Sequence, residues 1–458
     1  MVSLVVDNVH LTSRSFFINM IIQKFGGTSV GSAERIKAVA NLIADDTRKI
    51  VVLSAVSGTT NQLVQINKAL YKQDKVAVEG LLTSFESAYN QLIQDLFISE
   101  ESRLKAKSHL SGHINHIRSF TLDMFTPFEE RTVLAQGELL SSSLLQLHLS
   151  EKGVKSVLIP ALDFMRIDQN NEPDEWYVKS NLNRLLDAQQ ETKLFVTQGY
   201  ICRNHFGEVD NLKRGGSDYT ASIIGAAIGA SEVQIWTDID GMHNNDPRIV
   251  EKTRPIDRLT FDEAAELAYF GAKILHPSSI LPARKSNIPV ILKNTMHPEK
   301  PGTVISNVSS GNFIKAVAAK DGITAIKIKS DRMFLAYGFL RKVFEVFERH
   351  RISIDMITTS EVAVSLTVDS EEDLEPLLEE LRLYGMVEKE VDQCIVCIVG
   401  HMIQEEPGPA ARIFESLRNV PLRMISYGGS KNNVSLLIDK QYKVEALKAL
   451  NQGLFQLN

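Results

Sequence analysis

The alternation of apolar and polar segments divides the chain into two regions. From residue 20 to about residue 308, short β-branched runs that end in Gly, Asp or Asn alternate with helical stretches such as residues 132–149 and 217–229. The strand-like runs are "INMII", "KIVVLSAVSG", "KSVLIPA", "KLFVTQGYI", "VQIWTDIDG" and "IPVILKN". This alternation predicts an α/β fold with a parallel-rich central sheet between helices. The helical residues 61–120 are predicted to form an insertion or a lid beside the sheet.

From about residue 313 the pattern of apolar and polar residues changes, and the sequence contains an internal repeat. The segment "FLRKVFEVFERHRISIDMITTSEVAVSLTVDS" is echoed by "PAARIFESLRNVPLRMISYGGSKNNVSLLIDK". Matching positions are displaced by 70 residues, from Val343 to Ile413 and from Asp369 to Asp439. Each copy predicts a strand, a helix, two strands and a helix, which is a βαββαβ-like α+β unit. Two such units can pair their sheets and leave a ligand crevice between them.

These patterns predict four segments. Residues 20–308 form the α/β domain, and residues 313–391 and 392–458 form the two α+β domains. Residues 1–19 are interpreted as an N-terminal extension, disordered or mis-started, because Met20 stands just before the first strand; a transit peptide is the weaker alternative. Without a run of about 18 uninterrupted apolar residues, we expect no contact with a membrane.

Composition narrows the class of protein further. The 458 residues are 44% hydrophobic and 23% charged, which is ordinary for a globular protein, and the net charge of −6 does not favour nucleic acid as a partner. Three cysteines fit a reducing compartment, so a cytoplasmic location is expected. Cys394 and Cys397 form C-x-x-C, but "QCIVCIVG" predicts a buried strand that directs them to opposite faces.

Two Gly-Gly segments carry the candidate chemistry. In "KFGGTSVGS", Gly26 and Gly27 allow backbone N–H groups to approach a bound group, and Lys24 adds a positive charge, which together suit phosphate. In "LKRGGSDYTASIIGAAIGA", Gly215 and Gly216 precede a helix with Ser217 as its predicted N-cap. Such a helix N-terminus favours an anion. Two anion sites in one α/β domain suggest the two ends of a phosphoryl transfer, although the Walker A and protein-kinase motifs are both absent.

Four blocks taken together resemble the aspartokinases of the amino-acid kinase superfamily: "KFGGTSV", "RGGSDYTA", "IWTDIDG…DPR" and "FGAKILHP". The repeated C-terminal units resemble tandem ACT domains. The resemblance spans nearly the whole chain from Met20 and implies an amino-acid-kinase fold followed by two ACT domains. It also implies phosphorylation of L-aspartate by ATP with Mg²⁺. The product, 4-phospho-L-aspartate, would lead towards lysine, threonine, methionine and diaminopimelate.

The resemblance implies a role for each matching residue of the α/β domain. Lys24 would stabilise the transferring phosphoryl group and Asp218 would organise that lysine, which suits a reaction that depends on charge stabilisation. The substrate would contact Thr60, Glu138, Arg214 and Ser217, with Arg214 on its α-carboxylate and Glu138 on its ammonium. The nucleotide would contact Thr237, Asp238, His243, Arg248, Lys273 and Ile274. The stretch from Met242 to Asn245 departs from the family pattern, which leaves His243 an open assignment, and no Mg²⁺ ligand is assigned.

The first repeat, with "HRISIDMITTSEVAV", resembles the lysine-sensing type of ACT domain. The implied effector residues are Met333, Phe339, Leu340, Ser353, Ile354, Asp355, Thr359, Ser360 and Glu361. Asp355 and Glu361 would supply carboxylates for a ligand with two ammonium groups. Because "RMFLAYGFL" departs from lysine-sensitive relatives, lysine stands first and threonine second. The resemblance further implies a homodimer or homotetramer through the ACT domains.

Three other functions were weighed. Another carboxylate or carbamate kinase of the superfamily is disfavoured by "KFGGTSV" with the tandem repeats. A non-catalytic amino-acid sensor on a dead kinase domain predicts decay at catalytic positions. All four such residues are present: Lys24, Glu138, Arg214 and Asp218. A bifunctional aspartokinase–homoserine dehydrogenase is not expected, because the chain ends at Asn458.

Overall fold

The structure is a computed structural model that describes residues 20–212, 215–271, 275–309, 314–330, 337–369, 373–401 and 407–457. The chain divides into two compact units. The first unit comprises Met1–Gly241 and Leu275–Asn307, and the second comprises Met242–Ile274 and Val308–Asn458. The domain boundaries stated above remain a prediction, and residues 242–274 cluster with the second unit.

A mostly parallel sheet forms the centre of the first unit. Seven of its strands follow the order β3-β4-β2-β1-β7-β9-β10, and neighbours are parallel except β9 and β10. The strands of this unit are β1 (Ile21–Phe25), β2 (Lys49–Leu53), β3 (Ser156–Leu158), β4 (Leu194–Gln198), β5 (Ile201–Arg203), β6 (Val209–Asn211), β7 (Glu232–Thr237), β9 (Val290–Asn294) and β10 (Thr303–Ser306). All five residues of β2 and of β4 are buried, as expected for central strands covered on both faces. The predicted α/β class with a parallel-rich sheet is confirmed.

The helices of the first unit begin at residues that satisfy free backbone N–H groups. Thr126 and Glu129 form a capping box at the start of α5, and Ser99 caps α4. The helices are α1 (Ala33–Ile43), α2 (Thr59–Tyr71), α3 (Lys75–Leu96), α4 (Glu100–Ser119), α5 (Pro127–Glu151), α6 (Glu175–Asp187), α7 (Gly216–Ile228) and α9 (Leu281–Lys285). Apolar residues of α1 to α5 share one core with β1 and β2. The helices over residues 61–120 therefore pack as part of the core.

The second unit is built on an antiparallel sheet of six strands. Its order is β12-β13-β11-β14-β16-β15. The elements are β8 (Arg258–Thr260), α8 (Phe261–Tyr269), β11 (Ile314–Lys329), α10 (Phe339–Arg349), β12 (Ile357–Thr359), β13 (Ala363–Val368), α11 (Glu375–Leu381), β14 (Met386–Gly400), α12 (Pro409–Ser416), β15 (Met424–Ser426), β16 (Asn433–Asp439) and α13 (Lys443–Phe455). The α+β class predicted for this region is confirmed.

Two long strands run through both repeats. The first half of β11 pairs with the second half of β14, and the remaining halves pair with each other beyond a register shift between Lys320 and Ala325. Gly322 and Asp392 both have positive φ angles at this point, which lets both strands bend together. Val317 packs in the core of the second repeat, whereas Ile326 packs in the core of the first. The predicted boundary at residue 391 thus falls inside β14.

The cysteine prediction is confirmed in this strand. Cys394 and Cys397 are buried in β14, and Cys394 packs with Val396 and Ile398 in the core of the second repeat. Burial raises the pKa of both thiols, which keeps them protonated and unreactive. Among the described residues, no helix is long and apolar enough to cross a membrane.

Candidate active site

Polar groups meet where the parallel strands of the first unit end. The Gly26 amide donates to the Trp236 carbonyl at 3.2 Å, and the Ser54 amide donates to the Phe25 carbonyl at 3.2 Å. The Gly199 amide donates to the Leu53 carbonyl at 2.8 Å. These bonds join the residues beyond β1, β2, β4 and β7 at one edge of the sheet. Ligands of open parallel sheets bind at such an edge.

Lys24 and Asp218 form the central ion pair of this edge. Lys24 lies on β1 itself, so the strand predicted over residues 18–22 extends further, to Phe25. Its Nζ atom lies 2.7 Å from Oδ1 of Asp218, in the first turn of α7, and the two side chains are 12% and 15% exposed. The pair is therefore largely shielded from water but still reachable by a ligand. The predicted partnership of Lys24 with Asp218 is present.

The two Gly-Gly segments flank this ion pair. A Cβ atom on Gly26 would lie 3.5 Å from Lys24 Nζ, and one on Gly27 would lie 2.9 Å from the Ala55 carbonyl oxygen. Gly215 has φ +73° and a Cβ there would meet the Ser279 side chain at 2.4 Å, so glycine is required both by conformation and by space. Gly215 is also the N-cap of α7, and no described side chain caps this helix end. Its N-terminus therefore keeps backbone N–H groups for an anion.

Ser217 was predicted to be the N-cap of α7, and this is wrong. The helix begins at Gly216, and the buried Ser217 hydroxyl accepts a hydrogen bond of 2.9 Å from the Ser54 hydroxyl. Ser141 on α5 in turn donates to the Ser54 carbonyl oxygen at 2.8 Å. Ser54 thus links β2, α5 and α7, a role that sequence reasoning missed. Its place directly after a predicted strand was a weak signal, because many serines follow strands.

Glu138 brings a carboxylate to the same edge. It lies on α5, is 5% exposed, and its Oε1 accepts a hydrogen bond of 3.1 Å from the Ala55 amide. Burial raises the pKa of Glu138 to about 7, while the Ala55 amide and the Lys24 charge act in the opposite direction. The predicted substrate residue Thr60 lies exposed in the first turn of α2, next to this loop. Arg214 lies outside the described residues.

Comparison with known proteins supplies the deciding observation. The model of the amino acid kinase family matches residues 19–294, and an ACT domain model matches residues 396–454. The chain belongs to the amino acid kinase family. It is 35% identical to aspartokinase 2, chloroplastic, of Arabidopsis thaliana, over 95% of this chain and 84% of that protein.

Solved structures agree with this result. Aspartokinase III of Escherichia coli, in complex with aspartate and ADP, is 32% identical with a TM-score of 0.80, and covers 95% of this chain and 100% of that chain. The same enzyme in complex with lysine and aspartate gives a TM-score of 0.78 at the same identity and coverage. Within its family the chain is thus an aspartokinase, an ATP-dependent phosphotransferase with an ACT regulatory region. This finding confirms the predicted family, fold and enzyme class.

The predicted nucleotide residues of this aspartokinase are found in both units. In the first unit, Thr237 ends β7 and its hydroxyl accepts a hydrogen bond of 2.6 Å from the Asp238 amide. In the second unit, His243 is hydrogen-bonded through Nδ1 to Thr253 at 2.8 Å, and Arg248 pairs with Asp246 at 2.7 Å. Lys273 and Ile274 lie outside the described residues. The nucleotide assignments therefore stay predictions.

The segment from Met242 to Asn245, which departs from the family pattern, has a structural role in the aspartokinase. Asn244 and Asn245 are buried. The side-chain Nδ2 of Asn244 donates to Asn451 Oδ1 at 3.1 Å, and the side-chain Nδ2 of Asn245 donates to the Leu447 carbonyl oxygen at 3.0 Å. Both contacts hold this segment to α13 within the second unit. Sequence reasoning could not have found them, because more than 200 residues separate the partners.

The predicted effector residues occupy two parts of the first repeat. Thr359 and Ser360 line a depression of about 430 Å³ together with Lys327, Lys329 and Ser365. Asp355 does not line that depression, and its side chain is fully buried. Ser353 and Glu361 are exposed in loops, while Ile354, Phe339 and Leu340 pack against the core of the repeat. Met333 lies outside the described residues, and the effector assignments remain predictions.

Proposed function

We propose that the site around Lys24 and Asp218 transfers the γ-phosphoryl group of ATP to the side-chain carboxylate of L-aspartate. A carboxylate oxygen attacks the γ-phosphorus and the bond to the ADP oxygen breaks, which yields 4-phospho-L-aspartate and ADP. The observation that carries this proposal is the shielded ion pair at 2.7 Å between two Gly-Gly segments. Its support is the E. coli relative, whose structure holds aspartate and ADP.

The ion pair divides two tasks between its members. Negative charge spreads over the phosphoryl oxygens as the reaction proceeds, and a fixed ammonium nearby stabilises that charge. Asp218 holds the Lys24 ammonium in place, so the lysine does not reorganise when the nucleotide binds. The Gly26 N–H donates to the Trp236 carbonyl, so the proposed phosphate donors are the N–H groups of Gly27 and of the start of α7. Each group acts by position and charge alone.

Glu138, Ser217 and Thr60 are the proposed aspartate ligands among the described residues. The buried Glu138 carboxylate lacks a cationic partner within hydrogen-bond distance in the described part of the chain, so a substrate ammonium would compensate its charge. Ser217 and Ser54 share one hydrogen bond at the start of α7, where a carboxylate fits the helix dipole. Arg214 is proposed to bind the α-carboxylate, and Thr60 completes the set.

Mg²⁺ is proposed to enter with ATP. The described residues contain no group of three or more His, Cys, Asp or Glu arranged to hold a metal ion. Mg²⁺ commonly keeps several water ligands and binds to one or two carboxylates plus the substrate phosphates. The residues present fit that mode, with Asp218 as the carboxylate nearest to Lys24. The ion would neutralise phosphate charge, and Lys24 would do the same from the protein side.

Lysine is the proposed feedback effector of the first repeat, with threonine second. The support is the E. coli relative solved with lysine, together with Asp355 and Glu361 in this chain. An effector that prefers one of two arrangements shifts the enzyme towards it.

A homodimer or homotetramer that forms through the ACT region is also proposed. A cytoplasmic location is proposed as well, although the Arabidopsis relative is named chloroplastic.

The test is an activity measurement with a matched control. Purified protein with Mg-ATP and L-aspartate should release ADP, and hydroxylamine should trap the acyl phosphate as a hydroxamate. We expect Lys24→Met to lose about 100- to 1,000-fold in kcat, because one preorganised charge stabiliser can contribute that much. Lys68→Met, at an exposed position on α2, should keep wild-type activity. Hydroxamate formation by Lys24→Met at the wild-type rate would overturn the residue assignment.

A further inference from the structure

Tyr269, Lys320 and Asp369 surround the buried side chain of Asp355 in the second unit, and these four residues are here called the Asp355 cluster. Oδ1 of Asp355 accepts a hydrogen bond of 2.5 Å from the Tyr269 hydroxyl, and Lys320 Nζ lies 3.3 Å from the same atom. Lys320 Nζ also lies 2.7 Å from Oδ2 of Asp369 and 4.4 Å from the centre of the Tyr269 ring. The cluster therefore joins the end of α8 to β11 and to the loops beside β12 and β13.

The members of the cluster differ strongly in burial. The Asp355 side chain is 0% exposed, Lys320 is 18% exposed and Asp369 is 42% exposed. The second carboxylate oxygen of Asp355, Oδ2, has no hydrogen-bond partner among the described residues. A buried carboxylate with one unpaired oxygen retains room for another donor. Asp355 thus holds Lys320 by a longer contact while Asp369, near the surface, holds it by a shorter one.

Lys320 occupies the place at which an effector ammonium is proposed to bind. Asp355 is one of the two carboxylates assigned to the effector, and its Oδ1 already faces an ammonium of the chain itself. Two ammonium groups cannot share one buried carboxylate without mutual repulsion. An effector ammonium that approaches the unpaired Oδ2 of Asp355 therefore repels Lys320, and Asp369 offers the lysine a second carboxylate close to water.

We propose that Lys320 is an internal competitor for the effector: its ammonium holds Asp355 until the ammonium of an amino-acid effector takes its place and leaves Lys320 paired with Asp369. This proposal rests on the proposed lysine regulation and adds a residue that sets effector affinity. Because part of the effector's binding energy is spent on displacing Lys320, the observed affinity is lower than the Asp355 carboxylate alone would give.

The first test measures L-lysine binding to the full chain by calorimetry. Lys320→Met keeps the length of the side chain and removes the competing charge, so we expect the dissociation constant to fall about tenfold. The control is Lys443→Met, because Lys443 pairs with Asp321 at 2.6 Å and the two side chains are 19% and 41% exposed, closely matching Lys320 and Asp369. The control should bind lysine like the wild type. Unchanged or weaker binding by Lys320→Met would overturn the proposal.

A second variant guards against misfolding of Lys320→Met, which leaves the buried Asp355 without a cation. Asp369→Asn lies at an exposed position and removes the carboxylate that receives Lys320, so lysine binding should weaken about threefold or more. Tighter or unchanged binding would contradict the exchange. Kinase activity is measured without lysine in the same samples, which separates the proposed kinase function from the proposed role of Lys320. An inactive wild type would count against the kinase function. If the wild type is active but neither the wild type nor Lys320→Met binds lysine, the proposed role of the Asp355 cluster is wrong.

Discussion

Burial raises the pKa of Glu138 to about 7, although the Ala55 amide and the Lys24 ammonium both favour its charged form. The side chain therefore carries a proton in a substantial fraction of molecules near neutral pH. A substrate ammonium beside it would favour the charged form and release that proton. Binding of aspartate is thus coupled to pH through one carboxyl group.

We predict that kcat/KM for aspartate rises with pH and levels off above about 7, the pKa of Glu138. Glu138→Gln should lower kcat/KM at least about tenfold and remove this inflection, because it cannot gain the charge that attracts an ammonium. The check is a pH profile of both proteins between pH 5 and 9. The same inflection in Glu138→Gln would assign it to another group.

The same shift predicts the sign of a stability change. The folded-state pKa of Glu138 is raised above its ordinary value of 4.5, so the folded protein binds the proton more tightly than the unfolded chain does. The contribution of Glu138 to the free energy of unfolding is therefore largest below pH 4.5 and falls as pH rises to about 7. In denaturant unfolding, the free energy of unfolding of Glu138→Gln minus that of the wild type should be more positive at pH 8 than at pH 5. An equal difference at both pH values would exclude the shift.

At the same scale, sequence reasoning identified the charged residues of the candidate site but missed two serines that support it. Lys24 and Asp218 stood in recognisable motifs, and the structure pairs them. Ser54 and Ser141 position the same loop through hydrogen bonds, yet a serine after a strand or within a helix is common and gives no motif. Their role depends on which elements become neighbours, and that is not a local property of the chain.

Among the elements, α5 approaches the loop after β2 unusually closely at Gly137. A Cβ atom at this position would lie 2.8 Å from the Ala55 Cβ and 3.2 Å from a methyl group of Thr59. The next residue on α5 is Glu138, whose carboxylate binds the Ala55 amide. The glycine therefore sets the distance between the helix and the loop that it positions.

We predict that Gly137→Ala separates α5 from this loop and costs about 1–3 kcal/mol of stability, as overpacking usually does. The KM for aspartate should rise at least about fivefold, because Glu138 moves with the helix. Gly112→Ala on α4 is the matched control: a Cβ there meets nothing within 4 Å, so helix propensity alone should stabilise it by about 0.5–1 kcal/mol. Thermal unfolding and aspartate kinetics of the two variants provide the measurement. If Gly137→Ala changed neither the stability nor the KM for aspartate, α5 and the loop could accommodate the added methyl group without cost.

Helices and strands were largely predictable, whereas their exact limits were less so. The helix predicted over residues 217–229 is α7 (Gly216–Ile228), so its limits differ from the prediction by one residue at each end. In contrast, β1 continues through the polar pair Gln23 and Lys24, because the parallel neighbours β2 and β7 supply hydrogen bonds along its full length. Pairing between strands overrides the local preference there.

For the whole molecule, the proposed effector should act on stability as well as on rate. A ligand that binds only the folded state stabilises it by mass action. We predict that L-lysine at 100 times its dissociation constant raises the free energy of unfolding by about 2.7 kcal/mol. Glu361→Gln, which removes an exposed carboxylate, should need more lysine for the same gain, and D-lysine serves as the ligand control. Equal stabilisation by L-lysine and D-lysine would indicate a nonspecific ionic effect of the added amino acid.

The repeat of 70 residues was visible in the sequence and suggested that the two units pair their sheets, but it did not indicate which strands would pair. The two copies were expected to be consecutive domains, and the expected class of each is seen. The pairing of β11 with β14 along both halves joins them in one sheet. Such pairing connects residues far apart in the chain, so no local pattern could indicate it.

The bend shared by β11 and β14 has a consequence for engineering. The first repeat leaves the second at Gly322 and returns to it at Asp392, and Ile323 is the pairing partner of Gln393 just beyond this point. The first repeat is therefore a cassette whose two ends lie side by side. It could be exchanged for a repeat with another ligand preference by joining the new segment at two neighbouring points, one in β11 and one in β14. The halves of β11 and β14 that pair within the second repeat would stay intact.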